Sequence, residues 1–143
     1  MRKIVGIAVL VLVSAFLSGQ VPEPEHVTVQ HILIAFQGTI PDAGITRSLT
    51  DAQKLAQELL MRARQGEDFD ALVRQYTNDA YPGIYSMANA GTAPDAANQE
   101  FSRTRMVKAF GDVGFGLKVG EIGMAVYDHV TSKYGWHIIK RLR

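Results

Sequence analysis

The chain has 143 residues, of which 47% are hydrophobic and 20% are charged, and its formal net charge is +1. This composition is typical of one globular domain and excludes a disordered, collagen-like or coiled-coil chain. Cysteine is absent, so no disulfide holds the fold, and the lack of a basic run or stripe argues against nucleic acid as a partner.

The first twenty residues have the layout of a secretory signal. Arg2 and Lys3 precede a mostly apolar run over residues 4–17, and small residues follow it. The run is short for a helix that must cross ~30 Å of hydrocarbon at ~1.5 Å per residue. We therefore expect residues 1–20 to be a cleaved signal peptide, with an uncleaved N-terminal anchor as the alternative. Either form predicts an exported protein of the periplasm or cell envelope.

Residues 21–26, VPEPEH, predict an extended linker because Pro22 and Pro24 disfavour helix. Residues 27–143 are then expected to form one domain. Residues 21–143 contain one more acidic than basic residue, so we expect membrane contact only through the N-terminal segment, if it is retained.

The segment VTVQHILIAF (27–36) is rich in β-branched residues and predicts a strand. Its side chains alternate between the two faces of a sheet. One face therefore carries His31 among apolar neighbours, namely Val27, Val29, Leu33 and Ala35.

Two amphipathic helices are predicted next. Thr50 and Gln53 have the spacing of a capping box, and apolar residues then recur at helical spacing as far as Gly66, where the first helix should end. The second helix is short, over residues 68–76, and Asp68 can cap its start.

Residues 77–103 have the Gly, Pro, Asn and Ala content of a long loop, with a short strand at IYSM. A third helix follows, and its predicted apolar face carries Met106, Ala109, Phe110 and Val113.

The end of the chain predicts two strands. Gly120 should turn the chain into a strand at MAVYD, and a hairpin-like segment then leads to KYGWHIIKRL (133–142), which places His137 in a buried closing strand. The order strand, helix, helix, loop, helix, strand, strand predicts an α+β domain with a mostly antiparallel sheet.

Five segments in this order resemble a parvulin-type peptidyl-prolyl cis/trans isomerase, or rotamase, of the secreted bacterial type. They are VQHILIAF, DFDALVRQYTND, FSRTRMVKAF, LKVGEIG and YGWHIIKRL, and the match spans residues 27–143. The resemblance implies a four-stranded, mostly antiparallel sheet surrounded by about four helices, with a groove for X-Pro peptides. It also implies site residues in two roles. The catalytic residues would be His31, Asp79 and His137, and the substrate-binding residues would be Phe101, Met106, Phe110 and Tyr134.

The sequence departs from the family after the second helix. GIYSMAN replaces the usual glycine-rich stretch, and an insertion of about a dozen residues precedes Phe101. Tyr85 or Met87 then stands where the family often has Leu at the floor of the proline pocket. These changes affect the expected substrate preference more than the fold.

The resemblance implies a folding catalyst for proline-containing segments of unfolded or exported proteins. Rotation about X-Pro faces a barrier of ~18–20 kcal/mol but breaks no covalent bond, so no cofactor is expected. A preference for phosphorylated Ser/Thr-Pro is not expected. The loop after the first strand offers only Arg47, and Ala35 stands where phosphate-reading relatives place a basic residue.

Two alternatives remain at this point. One is a non-catalytic parvulin-like chaperone or peptide-binding module, which the altered loop favours. The other is a metal-dependent hydrolase, because His31, His137 and Asp79 could form a zinc site. The chain lacks HExxH or another compact ligand cluster, which argues against a metal.

Overall fold

A computed structural model describes residues 21–143, and the predicted signal segment, residues 1–20, lies outside the described residues. The elements in chain order are β1 (His26–Ile34), α1 (Leu49–Arg64), α2 (Phe69–Tyr76), β2 (Ile84–Ala88), β3 (Phe101–Ser102), α3 (Lys108–Gly116), β4 (Ile122–Ala125) and β5 (Trp136–Arg141). Single turns of 3₁₀ helix lie at Ala96–Asn98 and Arg103–Arg105. Within residues 21–143, no helix is long and apolar enough to cross a membrane.

The strands form one sheet in the order β3-β2-β1-β5-β4. Every pairing is antiparallel except that of β2 with β3, which is parallel. The predicted α+β class is confirmed, but the sheet has five strands rather than four. The extra strand, β3, arises because the inserted loop brings Phe101 alongside Met87 in the same chain direction. Three α-helices and two 3₁₀ turns stand where about four helices were expected.

The alternation of β1 divides the core between two faces of the sheet. The α1/α2 face buries Ile32 and Ile34 against Leu59 and Leu72 from these helices. The opposite α3 face buries Val29 with residues that include Phe110 and Phe115 of α3. His31 has the same parity as Val29 and so belongs to the α3 face, as the period-two pattern predicted.

The ends of α1 and α2 correct one sequence prediction and confirm two. The N-cap of α1 is Ser48, whose Oγ accepts from the Asp51 backbone N–H at 3.0 Å, so the capping box at Thr50 is wrong by two residues. Gly66 follows the C-cap of α1 with a positive φ of 96°, as expected. Asp68 caps α2 through a 2.9 Å bond from the Ala71 N–H.

The β4–β5 connection is a tight turn fixed by Asp128. Its Oδ1 accepts 2.8 Å hydrogen bonds from the N–H groups of Val130 and Thr131. The Thr131 carbonyl in turn accepts a 2.9 Å bond from the Ala109 N–H in the first turn of α3. This contact holds the turn against α3, on the α3 face of the sheet.

Met106 is not part of the third helix, contrary to the sequence prediction. It follows the 3₁₀ turn Arg103–Arg105, and α3 begins only at Lys108. The backbone of Met106 is extended, with φ −87° and ψ 163°. Residues 101–106 therefore form a bent segment that leads into α3. The spacing of apolar residues in the sequence does not distinguish this segment from a helix.

Candidate active site

A cavity of about 190 Å³ opens on the α3 face, between the sheet, α3 and the β4–β5 turn. Its apolar wall consists of Leu33, Met106, Val107 and Phe110, and its polar wall consists of His31, Asp79, Tyr85, Tyr134 and His137. This volume is smaller than the ~300–1,000 Å³ of pockets for drug-sized ligands. The cavity is therefore suited to one ring-sized group with a polar group beside it.

The two histidines lie on neighbouring strands and contact each other. In the β1–β5 register His31 pairs with Ile139 and Leu33 pairs with His137, so the imidazoles are two positions apart across the strands. Their Nδ1 atoms are 3.1 Å apart and their rings are nearly parallel, at 16°. Both side chains are buried, with 3% and 4% exposure. The core position of each imidazole is thus explained by the other imidazole.

Asp79 reaches the histidines because the segment before it is docked on the end of β1. Thr77 Oγ1 accepts from the N–H groups of Leu33 and Asp79, at 3.1 and 3.2 Å. The Asn78 N–H donates to the Leu33 carbonyl at 2.8 Å, and Asn78 Oδ1 accepts from the Ala35 N–H at 3.0 Å. The sequence reading missed these positioning roles of Thr77 and Asn78, which pair with β1 without forming a strand.

The Asp79 carboxylate is held ionised. Its Oδ2 accepts hydrogen bonds from His31 Nε2 at 2.8 Å and from the Tyr85 hydroxyl at 2.7 Å. These bonds, that from His31 above all, lower the pKa of Asp79 well below its usual range, although partial burial opposes them. Burial and the bond to Asp79 raise the pKa of Tyr85 to about 12, so its hydroxyl stays protonated and donates.

His137 is held neutral. Burial, and then the proximity of His31, lower the pKa of His137 to about 3. A proton between the two facing Nδ1 atoms joins the imidazoles by a hydrogen bond. Nε2 of His137 is buried without a hydrogen-bond partner in the described part of the chain. The result is a line of hydrogen bonds from Tyr85 through Asp79 and His31 to His137.

Two glycines bring the backbone close enough for this arrangement. A Cβ on Gly83, where φ is +65°, would lie 2.8 Å from the His31 carbonyl oxygen. A Cβ on Gly135, where φ is +143°, would lie 2.1 Å from the Ile34 carbonyl oxygen. Neither position accepts a side chain without moving the strand that carries His31. A positive φ leaves no mark in the sequence beyond the glycine itself, and the sequence reading missed both.

Six of the seven site residues named from the sequence line the cavity, and Phe101 does not. Phe101 is 47% exposed, and its ring centroid lies 6.0 Å from that of Tyr85. Tyr85 is the residue that reaches the cavity from β2, while Met87 is fully buried behind it. Phe101 thus lies at the outer side of Tyr85.

The histidines and Asp79 do not form a metal site. In residues 21–143 no group of three His, Asp or Glu side chains could hold a metal ion. Both ring nitrogens of His31 are engaged, one by His137 and one by Asp79. The three groups are arranged in a line rather than around a point, so the metal-dependent hydrolase alternative has no geometric support.

The arrangement can bind a ring in an apolar cavity and hold a negative charge beside it. A buried histidine pair beneath a one-ring cavity, on a mostly antiparallel sheet and with an aspartate in the cavity wall, is the arrangement expected of a parvulin-type rotamase domain. Comparisons with known proteins identify the same class. The PPIC-type PPIASE domain family matches residues 16–142, and the chain belongs to this family.

Two similar proteins are much longer than this chain. Foldase protein PrsA of Geobacillus sp. (strain WCH70) is 34% identical over 101 residues, which are 70% of this chain and 32% of that protein. Chaperone SurA of Chromohalobacter salexigens is 34% identical over 113 residues, which are 78% of this chain and 21% of that protein. The chain thus spans about a third or less of the length of these relatives.

A solved structure with the same fold is the solution structure of TbPIN1. It is 25% identical in sequence, covers 83% of this chain and 98% of its own, and superposes with a TM-score of 0.57.

Proposed function

We propose that this protein is a peptidyl-prolyl cis/trans isomerase that acts on X-Pro bonds of unfolded protein segments. The observation that carries the proposal is the one-ring apolar cavity with the ionised Asp79 in its wall. Met106 and Phe110 would hold the pyrrolidine ring while the preceding carbonyl rotates past Asp79. His31, Tyr85 and His137 would keep the carboxylate in place and charged.

The chemistry follows from the electronic structure of the amide. In the planar amide, resonance places negative charge on oxygen and double-bond character on the C–N bond, and the twisted amide loses both. A carboxylate beside the carbonyl oxygen raises the energy of the planar form more than that of the twisted form. An apolar cavity acts in the same direction, because it solvates the more polar planar amide poorly. Both effects favour the transition state over the ground state.

The test is the rate of cis/trans exchange in peptides Ala-Xaa-Pro-Ala with varied Xaa, measured by exchange NMR at catalytic amounts of protein. We expect acceleration that Asp79→Asn reduces by ~100-fold, the lower end of what one preorganised electrostatic group contributes. Val119→Ala is the matched control, since Val119 is 64% exposed and lies away from the cavity. Exchange at the uncatalysed rate for every Xaa would refute the proposal.

A second candidate is the non-catalytic chaperone module, which the inserted loop and the relatives named foldase and chaperone favour. Such a module would bind the same peptides without changing their exchange rate. Chemical-shift changes at Met106 and Phe110 in the absence of rate acceleration would identify it.

We further propose that the protein works on exported clients in the periplasm or cell envelope. The support is the charged start and short apolar run of residues 1–20. The intact mass of the protein from its native host should lack about the first twenty residues. Retention of Met1 would instead indicate an N-terminal anchor.

Phosphorylated Ser-Pro or Thr-Pro should gain no rate over the unphosphorylated peptides. Arg47, the cation available in the β1–α1 loop, donates to the Ala35 carbonyl at 2.8 Å and to Asn78 Oδ1 at 2.6 Å. Its guanidinium therefore serves to hold the loop against β1. A faster turnover of phosphopeptides would contradict this expectation.

A further inference from the structure

Gln30 places a buried amide on the side of β1 that faces α1 and α2. It has the parity of Ile32 and Ile34, which belong to the core on that face. The residue is 5% exposed, and a buried amide costs free energy unless it is hydrogen-bonded. Gln30 does not line the proline cavity, so its burial needs another explanation.

Gln30 joins the first turn of α2 to the end of the loop that carries Asp79. Its Nε2 donates to Asp70 Oδ1 at 2.8 Å and to the Pro82 carbonyl at 3.0 Å. The bond from Gln30, above all, lowers the pKa of Asp70 from its usual value, so this carboxylate is ionised. Both partners are therefore acceptors only. The orientation of the amide is fixed by them, and both of its protons are used.

Tyr81 attaches the same end of the loop to α2 a second time. Its hydroxyl donates to Asp70 Oδ2 at 3.1 Å and accepts from Arg74 at 2.7 Å. The Arg74 guanidinium also lies over the Tyr81 ring, 4.6 Å from the centroid. Arg74, Tyr81 and Asp70 are exposed, and exposed ion pairs contribute little. Gln30 is the buried member of the cluster and the one that also bonds to the loop backbone.

The Asp79 loop is thereby fixed on β1 at both of its ends. Thr77 and Asn78 dock its start on the C-terminal end of the strand. Gln30 docks its end through the Pro82 carbonyl. Three residues separate Asn78 from Pro82, and Asp79 is the first of them. A short span that is attached at both ends has few conformations, so the two attachments restrict where the carboxylate can lie.

We propose that Gln30 is a positioning residue for the isomerase reaction, which holds the Asp79 carboxylate beside the proline cavity by fixing the end of its loop. The inference rests on the proposed function and deepens it by adding a residue on the opposite face of the sheet. The carboxylate acts only where the rotating carbonyl passes, and a displacement of ~1 Å can cost ~100-fold in rate. Loss of the Gln30 attachment should therefore lower the rate while the apolar wall that binds the proline ring is unchanged.

The experiment compares the wild type with Gln30→Met, which keeps the length of the side chain but donates no hydrogen bond. Cis/trans exchange of an Ala-Xaa-Pro-Ala peptide is measured over a range of peptide concentrations, per folded molecule. We expect kcat to fall by ~10-fold and KM, which reports on the proline cavity, to stay within about 2-fold of the wild type. Gln57→Met is the matched control, because Gln57 is exposed on α1, and it should keep both constants.

A second readout does not depend on catalysis. The proton between His31 Nε2 and the Asp79 carboxylate lies in a 2.8 Å hydrogen bond and should give a downfield NMR signal. A displaced carboxylate lengthens this bond, so the signal should move upfield in Gln30→Met and keep its position in Gln57→Met. If Gln30 served stability alone, its loss would lower the urea midpoint and leave this signal and kcat per folded molecule unchanged.

Asp70→Ala provides a second variant in case Gln30→Met does not fold. It removes the partner that Gln30 and Tyr81 share, and the Asp70 side chain is 47% exposed, so the substitution leaves no buried cavity. We expect kcat and the His31 signal to change in the same direction as in Gln30→Met.

The outcomes separate the inference from the proposed function. An active wild type whose kcat per folded molecule or His31 signal is unchanged by Gln30→Met overturns the inference and leaves the isomerase proposal standing. A rise in KM at unchanged kcat also overturns it, because the effect would then lie in the proline cavity. A wild type without catalysis refutes the isomerase, and the His31 signal alone then decides whether Gln30 positions Asp79.

Discussion

The two faces of the sheet are formed by the same strands but have different roles. On the α1/α2 face, β1 and β5 contribute Ile32, Ile34 and Ile138 to a core of apolar side chains. On the α3 face, the same strands contribute His31 and His137, and a polar line continues through Asp79 to solvent. The α1/α2 face buries mainly apolar side chains. The α3 face buries less apolar surface, because polar side chains there hold a charged group in the cavity wall. Stability and chemistry should therefore respond to different substitutions.

The largest loss of stability should come from the α1/α2 face. Leu59 is fully buried in α1, so Leu59→Ala should lower the free energy of unfolding by ~2–5 kcal/mol through lost burial and the cavity left behind. Urea denaturation measures this change. The exchange rate per folded molecule should stay at the wild-type value, because Leu59 is remote from the proline cavity. A fall in that rate would show that the two faces are coupled.

Breaking the histidine pair should have an intermediate effect on stability and a clear effect on activity. His31→Ala or His137→Ala leaves one buried ring nitrogen without its partner, at a cost of ~1–3 kcal/mol. Denaturant midpoints and exchange rates should fall together. Variants of unchanged stability but no activity would instead indicate a direct chemical role for the missing imidazole.

Asp79→Asn should lower stability by less than the histidine variants do, since the amide keeps the shape and the carbonyl acceptor of the side chain, which is 30% exposed, although the charge that strengthens its two hydrogen bonds is lost. Its exchange rate should nevertheless fall strongly, because the negative charge is gone. The urea midpoint of this variant measures the change in stability, and its cis/trans exchange rate measures the change in activity. A midpoint loss as large as that of the histidine variants would assign Asp79 a structural role.

Acid should destabilise the α3 face through His137. Its pKa is about 3 in the folded protein and ~6.5 when unfolded, so between these values the unfolded state binds the extra proton. Stability should therefore fall as the pH is lowered from about 6.5, by at most ~1.4 kcal/mol per pH unit from this group. Asp79, whose pKa is also lowered, adds to the loss only below its unfolded value of ~3.9.

The pH effect is isolated by comparison with His137→Gln, which keeps a neutral donor but does not titrate. Urea midpoints of the two proteins at pH 7, 6 and 5 should diverge as the pH falls, with the variant losing less stability. Parallel curves would show that His137 binds its proton equally well in the folded and the unfolded protein, and they would contradict the lowered pKa.

Periodic elements were predictable from the sequence, and close approaches of the backbone were not. The alternation in β1 correctly placed His31 on the face that proved to be the α3 face. Gly66 marked the end of α1, and Asp68 marked the start of α2. The capping box at Thr50 was wrong because Ser48 offers the same hydroxyl two residues earlier. Met106 was assigned to a helix because its spacing to Phe110 suits one, although the chain is extended there.

The site was predictable as a set of residues but not as a geometry. The family resemblance named His31, Asp79 and His137, whereas the role of Thr77 in docking the Asp79 segment depends on contacts 44 residues apart in sequence. The position of Phe101 depends on the path of the inserted loop, which no pattern in the sequence specifies. Such features follow from tertiary packing, so they require the structure.

The division between the two faces is tested most directly by one measurement. The cis/trans exchange rate of an X-Pro peptide is determined at equal concentrations of folded wild type, Leu59→Ala and Asp79→Asn, with the folded fraction taken from urea midpoints. We predict the wild-type rate for Leu59→Ala, despite its lower stability, and a rate near the uncatalysed value for Asp79→Asn. Equal losses in both variants, or full activity in Asp79→Asn, would contradict the assignment of chemistry to the α3 face.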